Sequence, residues 1–273
     1  MRYVEIVPAD PIRRLVRCYW FLSGPNAPRR ASAEPALPDG STELIFNLGD
    51  PFRACLEGRT PIRQPTTMLV GQITGPLTVG PTGRIDLVAV RFEPHGAALL
   101  FRPQARLTNR WIDARTIAGA RLGTIRSSLR EARGPAARAA VLDQVLSHLI
   151  ATRPGPDPRV ERAVRAIRSS HGTISMKRMT RDVATSPRNL QRLFAMEVGL
   201  SPKLLARITR FQRVFAAWQR NPRSLARVAA ECGYFDQPHL IRDFQDFAGA
   251  APAAFLASQP EFTAFFTTPR ATS

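Results

Sequence analysis

The sequence predicts an α+β chain in two parts. Residues 1–152 are expected to form a β-rich domain, barrel- or sandwich-like, with trailing helices. Residues 157–258 are expected to form an all-α domain of two helix-turn-helix units joined by a long helix. Three observations predict this. The first hundred residues carry short apolar runs broken by Gly and Pro, the pattern of antiparallel strands joined by tight turns. From about residue 116 the apolar spacing becomes helical. Beyond residue 157 one pattern of about 28 residues occurs twice. A chain of 273 residues is long enough to bury two cores.

The strand reading rests on five runs. Residues 15–22, LVRCYWFL, are rich in β-branched and aromatic side chains. Residues 42–46, TELIF, follow the turn signal Pro38-Asp39-Gly40, and shorter runs occupy 67–72, 77–80 and 86–92. The polar, proline-bearing stretch 51–65 reads as a loop. Two helices then follow. Ala118, Leu122, Ile125 and Leu129 form one apolar stripe, and Ala140, Val141, Val145, Leu146 and Leu149 form a second, with Gly134-Pro135 between them. Arg153-Pro154-Gly155-Pro156 reads as a linker.

After the linker, Asp157 is placed to cap a helix that opens on Pro158 and buries Val160, Val164 and Ile167. The internal repeat comes next. Segment 175–202 matches segment 224–252, at an offset of 49 before the turn (Ser175 with Ser224, Met179 with Val228, Val183 with Cys232). After the turn the offset is 50 (Ser186 with Asp236, Leu190 with Leu240, Arg192 with Arg242, Phe194 with Phe244, Gly199 with Gly249). Each copy opens on a capping Ser and a short helix. A small residue follows, Ala184 or Gly233, where close helix approach is expected, and then a second capped helix. That second helix buries Leu190, Leu193 and Phe194 in copy one and Leu240, Phe244 and Phe247 in copy two. Its other face carries Arg188, Asn189, Gln191 and Arg192, or Gln237, His239 and Arg242. Between the copies, Ser201 caps a helix striped by Leu204, Leu205, Ile208, Phe211, Val214, Phe215 and Trp218. It runs to about Gln219, roughly 27 Å at about 1.5 Å per residue.

These outward faces suit double-stranded DNA. Arg pairs with guanine O6 and N7, and Asn or Gln with the N6 and N7 edge of adenine. A rod of that length can hold two reading helices about one DNA turn, roughly 34 Å, apart. Candidate DNA-contacting residues are therefore Arg188, Asn189, Gln191, Arg192, Gln237, His239 and Arg242, with Ser186 as a cap first and a contact second. Asp236 is read as a cap in the same way. Net charge of +18 agrees with a polyanionic partner, although all but two of the 39 basic residues are Arg and the excess extends over both parts.

Here the sequence resembles a known family. Residues 157–257 are similar to the DNA-binding domain of AraC/XylS regulators, through Leu190-Gln191-Arg192-Leu193-Phe194, Gly199-Leu200-Ser201-Pro202, and the run from Ala229 to Gln237. His239-Leu240-Ile241-Arg242-Asp243-Phe244 and the segment 249–252 complete the likeness. Two departures stand out: Pro238 early in the second reading helix, and Leu256 where an Arg often follows the aromatic. Leu37-Pro38-Asp39-Gly40, Glu43-Leu44-Ile45-Phe46 and 90–96 (VRFEPHG) resemble an uncharacterised β-rich domain often fused to this module. The resemblance implies a bacterial transcription regulator with operator DNA as partner, and RNA polymerase if it activates. A small-molecule effector and a second copy of the chain, through the helices at 116–151, are the further expected partners.

Asp39, Glu43, Arg91 and His95 are candidate effector-pocket residues. The plainer reading makes Asp39 a turn residue and pairs Glu43 with Arg91, while Trp20 reads as core. His95 has no second His before residue 148, so no metal and no cofactor are expected. Cys18, Cys55 and Cys232 lack metal-ligand spacing, and Cys18 and Cys232 read as small core residues. No nucleophile triad, P-loop or dinucleotide fingerprint occurs, so no enzyme is expected. The alternative is a small-molecule enzyme in the N-terminal domain fused to a DNA-binding module. Without a signal-peptide run or an apolar stretch of membrane length, a cytoplasmic location is expected.

Overall fold

In the computed structural model the described residues are 1–27, 33–56, 60–118, 120–222 and 224–258, with the side chains of 117–123 left aside. The expected Ala118 and Leu122 stripe positions fall outside the described side chains. Strands β1 (Arg2–Ile6), β2 (Val16–Gly24), β3 (Glu34–Ala36), β4 (Glu43–Asn47), β5 (Arg53–Leu56), β6 (Ile62–Arg63), β7 (Thr67–Val70), β8 (Leu77–Gly80), β9 (Ile85–Phe92) and β10 (Trp111–Asp113) build two antiparallel sheets. The larger has the order β1-β2-β9-β4-β7-β10, the smaller β3-β8-β5-β6.

The larger sheet is buried on both faces, which is why its strands read as continuous apolar runs rather than strict alternation. Tyr19, Phe21, Leu44, Phe46, Leu69, Val88 and Val90 point to one side, where Leu129, Ala139, Leu142 and Leu146 of the following helices cover them. Cys18, Trp20, Leu22, Ile45, Met68, Leu87 and Ala89 point to the other, against Ala54, Leu77 and Val79 of the smaller sheet. This is the β-rich domain with trailing helices that the runs predict.

The loop expected at 51–65 is wrong in part. β5 and β6 lie within it, β5 pairing with β8 and β6 with β5. They are short, at four and two residues, and sit between polar and Pro-bearing flanks, so the sequence carries no strand signal and the smaller sheet supplies the partners that hold them extended. Strands β1, β3 and β10 also lacked a sequence signal, since each is short and at or near a sheet edge.

Among the described residues ten α-helices follow: α1 (Arg115–Ala118), α2 (Ala120–Glu131), α3 (Gly134–Thr152), α4 (Pro158–Ser169), α5 (Met176–Asp182), α6 (Pro187–Glu197), α7 (Pro202–Arg220), α8 (Leu225–Glu231), α9 (Gln237–Ala248) and α10 (Pro252–Ser258). The stripe of α3 differs from expectation at one end. Ala139, Leu142 and Leu146 are buried and Ala140 is exposed, because the face repeats at 139, 142 and 146. Alanine is apolar enough to mimic a stripe position yet gains little from burial.

From α4 to α9 every helix is capped by a side chain. Asp157, Ser175, Ser186, Ser201, Ser224 and Asp236 accept hydrogen bonds from the backbone N–H of Arg159, Arg178, Asn189, Leu204, Arg227 and His239. One core joins them, with Val160, Val164, Ile167, Leu190, Phe194, Ile208, Phe211, Val214, Leu240, Phe244 and Phe247 at its centre. The small turn residues act differently from expectation. Ala184 is exposed, and it and Gly233 have φ of 50° and 78°. Their small size serves a left-handed backbone at the turn. At Gly233 room matters as well, since a Cβ there would lie 2.6 Å from Thr173.

The two parts meet along a seam. Thr108 donates to the carbonyl of Gly199 at 2.6 Å, and Arg102 reaches Glu197 at 3.5 Å. Gln212 on α7 donates to the Pro38 carbonyl at 2.5 Å, and Gly40 lies against Leu205. Glu93 pairs with Arg168 on α4. Gly249, which ends α9, lies so close to Pro76 that a Cβ would come within 2.8 Å of its ring.

Candidate nucleic-acid interface

Two helices, α6 and α9, carry the polar faces singled out above. Each starts on a capping side chain with Pro in its first turn, so the backbone at the entry end is set before any ligand arrives. Leu190, Leu193 and Phe194 anchor α6 in the core, and Leu240, Phe244 and Phe247 anchor α9. Arg188, Gln191 and Arg192 are exposed on α6, as are Gln237 and Arg242 on α9.

The remaining candidates are less free. Asn189 is half-buried, donates to Thr185 Oγ1 at 2.8 Å, and accepts from Arg192 Nη2 at 3.0 Å. It therefore steadies Arg192 as well as offering its own amide. His239 is half-buried, its ring edge-on to Tyr234 at 5.1 Å. The side-chain oxygens of Ser186 and Asp236 are engaged in their caps.

Several residues that hold α9 carried no sequence signal. Arg207 on α7 donates through Nε and Nη2 to Asp243 Oδ1 at 3.0 and 2.7 Å. Its Nη2 also reaches Asp246 at 2.6 Å, and its guanidinium lies 5.0 Å from the Phe247 ring centre. Asp243 is almost wholly buried. Since Leu193 takes the matching place in copy one, an ion pair fastens the second reading helix where an apolar contact fastens the first. On α6, buried Glu197 accepts from the Asp157 backbone N–H at 2.8 Å. Burial raises its carboxyl above the ordinary range, with the Asp157 N–H and Arg102 opposing.

Three of the four effector-pocket candidates come together. β4 and β9 pair with Glu43 opposite Arg91. Arg91 Nε donates to Glu43 at 2.8 Å and lies 3.4 Å from Asp39, while Trp20 donates to Glu43 at 2.9 Å. Asp39 also accepts from the Ser41 backbone N–H at 2.8 Å. Burial raises the Glu43 carboxyl against the pull of Arg91. These groups line a cavity of about 100 Å³ between the sheets. His95 lies apart, at the seam with Arg13, Arg14, Glu93, Glu161 and Arg168. Neither of its ring nitrogens has a hydrogen-bond partner among the described residues, and burial lowers its pKa. A larger, mostly apolar cavity of about 510 Å³ lies between the larger sheet and α2–α3, lined by Leu44, Phe46, Val90, Ile125, Val141 and Leu149 among others. Among the described residues no His, Cys, Asp and Glu cluster is placed to hold a metal ion, and no helix is long and apolar enough to cross a membrane.

A β-rich domain joined to paired, capped helix-turn-helix units with cationic, amide-bearing faces defines a DNA-binding transcription regulator. Comparison with known families gives the type. Residues 179–258 match a helix-turn-helix domain, and residues 4–113 match a domain of unknown function, DUF6597. The chain thus carries a helix-turn-helix domain of the AraC type and, ahead of it, a DUF6597 domain. Among solved structures it is similar to the crystal structure of ToxT from Vibrio cholerae O395, with TM-score 0.48 and 10% identity over 91% of this chain and 98% of that one. It is also similar to the same protein bound to (E)-4-(8-methylnaphthalen-1-yl)but-3-enoic acid, with TM-score 0.49 and 9% identity over 87% and 98%. No curated protein matches the chain.

Proposed function

We propose that this regulator reads its operator by placing α6 and α9 in adjacent major grooves of one duplex. The observation that supports it most is the pairing of burial with exposure: each helix sinks three apolar residues into one shared core and leaves Arg and amide side chains outside. α7, with 19 residues, spans roughly 28 Å at about 1.5 Å per residue, close to the rise of one DNA turn. Arg192 and Arg242 supply the base-reading guanidinium groups. Arg188, Asn189, Gln191, Gln237 and His239 add amide, base-edge and phosphate contacts, with Ser186 beside them at the helix start. Residues 1–152 and 157–258 act as the sensing and reading domains.

We further propose that the N-terminal domain biases this reading. It touches α6 at Glu197 and the turn after it at Gly199, α7 at Gln212 and Leu205, and the end of α9 at its cap Gly249. The turn at 38–40 joins the two ends of that route, since Asp39 belongs to the Arg91 cluster and Pro38 and Gly40 meet α7. A small polar effector entering beside Asp39, Glu43 and Arg91 would reach α7 through this turn. A second copy docking on α2 and α3, and RNA polymerase if the regulator activates, complete the proposed partners.

The test is operator binding. A preferred duplex is selected from a random pool, and Arg192→Ala and Arg242→Ala are measured on it. Each is expected to weaken binding by about 1–3 kcal/mol, about 5- to 150-fold. If neither changes affinity for the selected duplex, the reading-helix assignment fails.

A further inference from the structure

We propose that Phe235 reads a thymine methyl group in the half-site under α9, a contact with no counterpart under α6. This rests on the reading above, that α9 enters a major groove. The starting observation is a mismatch between the two copies. Thr185 alone stands between Ala184 and the cap Ser186, whereas Tyr234 and Phe235 both stand between Gly233 and the cap Asp236. One residue has been added to the second turn.

The two residues divide the space between them. Tyr234 takes the inward place, buried, edge-on to His239 and with the Arg210 guanidinium 5.5 Å from its ring centre. Phe235 is left 93% exposed, the most exposed large apolar side chain among the described residues, with Ile62 next at 52%. An isolated exposed apolar residue is common on protein surfaces. A whole benzyl group held in water beside the entry end of a reading helix is a different case, because that end is the part that meets base edges.

The surroundings favour DNA over a protein partner. Gly233, Gln237 and Pro238, its exposed neighbours along the chain, form no apolar patch, and Arg242 follows on the exposed side of α9. A protein-docking surface gathers apolar side chains at its centre. A lone exposed ring beside Gln237 at the start of α9 matches a base-pair edge instead. Thymine is the one base that presents an apolar group in the major groove, and Phe is among the side chains that contact it.

The experiment uses the full chain and the selected operator. Each thymine in the half bound by α9 is replaced singly by deoxyuridine, which removes only the methyl. Wild-type protein is expected to lose about fourfold at one position, the worth of one buried methyl-sized group. Phe235→Ala is expected to lose about fourfold on the parent operator and nothing further on that uracil operator, while Phe235→Leu keeps most of the discrimination. Because the ring is exposed, Phe235→Ala should melt as the wild type does, which separates a lost contact from a lost fold. The proposal is overturned if Phe235→Ala binds as tightly as wild type, if its loss adds fully to every uracil penalty, or if the selected half-site has no thymine. Unchanged DNA affinity with impaired transcription by purified polymerase assigns the ring to a protein partner and overturns it equally. The underlying reading fails separately, through Arg192→Ala and Arg242→Ala on the same operator.

Discussion

Truncating either end of the Arg207–Asp243 pair should destabilise the reading domain, and by unequal amounts. The Arg207 side chain is 28% exposed and Asp243 is 4% exposed. With Asp243→Ala, Arg207 keeps Asp246 at 2.6 Å and can rehydrate, so the loss should be about 2 kcal/mol, near the value of charge-assisted hydrogen bonds. With Arg207→Ala, the Asp243 carboxylate stays in the core with no cation, and its Oδ2 already lacks a partner among the described residues. That variant should lose about 4 kcal/mol, within the range for breaking a buried pair from one side. Removing both charges relieves the stranded carboxylate. The double alanine variant should therefore lose about 2–3 kcal/mol, well short of the roughly 6 that addition gives. Urea unfolding of the three variants measures this, through midpoints at unchanged slope. If Arg207→Ala costs no more than Asp243→Ala, or the double variant loses the full sum, the buried-carboxylate account is wrong.

Two further outcomes follow from the seam. Gly249→Ala combines a φ of 67° with a Cβ 2.8 Å from Pro76, whereas Gly134→Ala has a φ of 84° and nothing within 4 Å. The Gly134 variant should lose about 1 kcal/mol, the cost of a left-handed alanine, and Gly249→Ala measurably more in the same unfolding assay; equal losses would remove the α9–Pro76 contact from the energetics. His95 gives a pH dependence. Burial holds it below its ordinary value of 6.5, with Glu93 and Glu161 opposing and Arg14 and Arg168 reinforcing the drop. The unfolded chain then takes up a proton that the folded one resists, so stability is intact above pH 6.5 and is lost as pH falls below it. His95→Phe should flatten that loss in melting experiments between pH 7 and 5; a slope unchanged from wild type would show that other groups carry it.

What could be read from the sequence was local. The six capping residues, the stripes of α4, α6, α7 and α9, and the duplicated turn are all set by neighbours within a few residues. Spacing along the chain therefore reveals them. The runs at 15–22 and 86–92 were legible for the same reason, since both faces of the larger sheet are buried and the strands read as unbroken apolar stretches. The sequence alone thus determined two capped helix pairs on a stiff connecting helix, and with them the side chains presented outward. β5 and β6 were hidden because a partner strand, not their own residues, holds them extended. Only the tertiary structure decided which charges are buried. Arg207 meets Asp243 36 positions away and Glu197 meets Asp157 40 positions away, whereas the Glu43–Arg91 pair was already an expectation of the sequence. Nor could spacing show that Phe235 faces water while Tyr234 is buried, or that the N-terminal domain leans on both reading helices. Burial of a charge or a ring depends on what the rest of the chain brings to it, and that information exists only once the chain has folded.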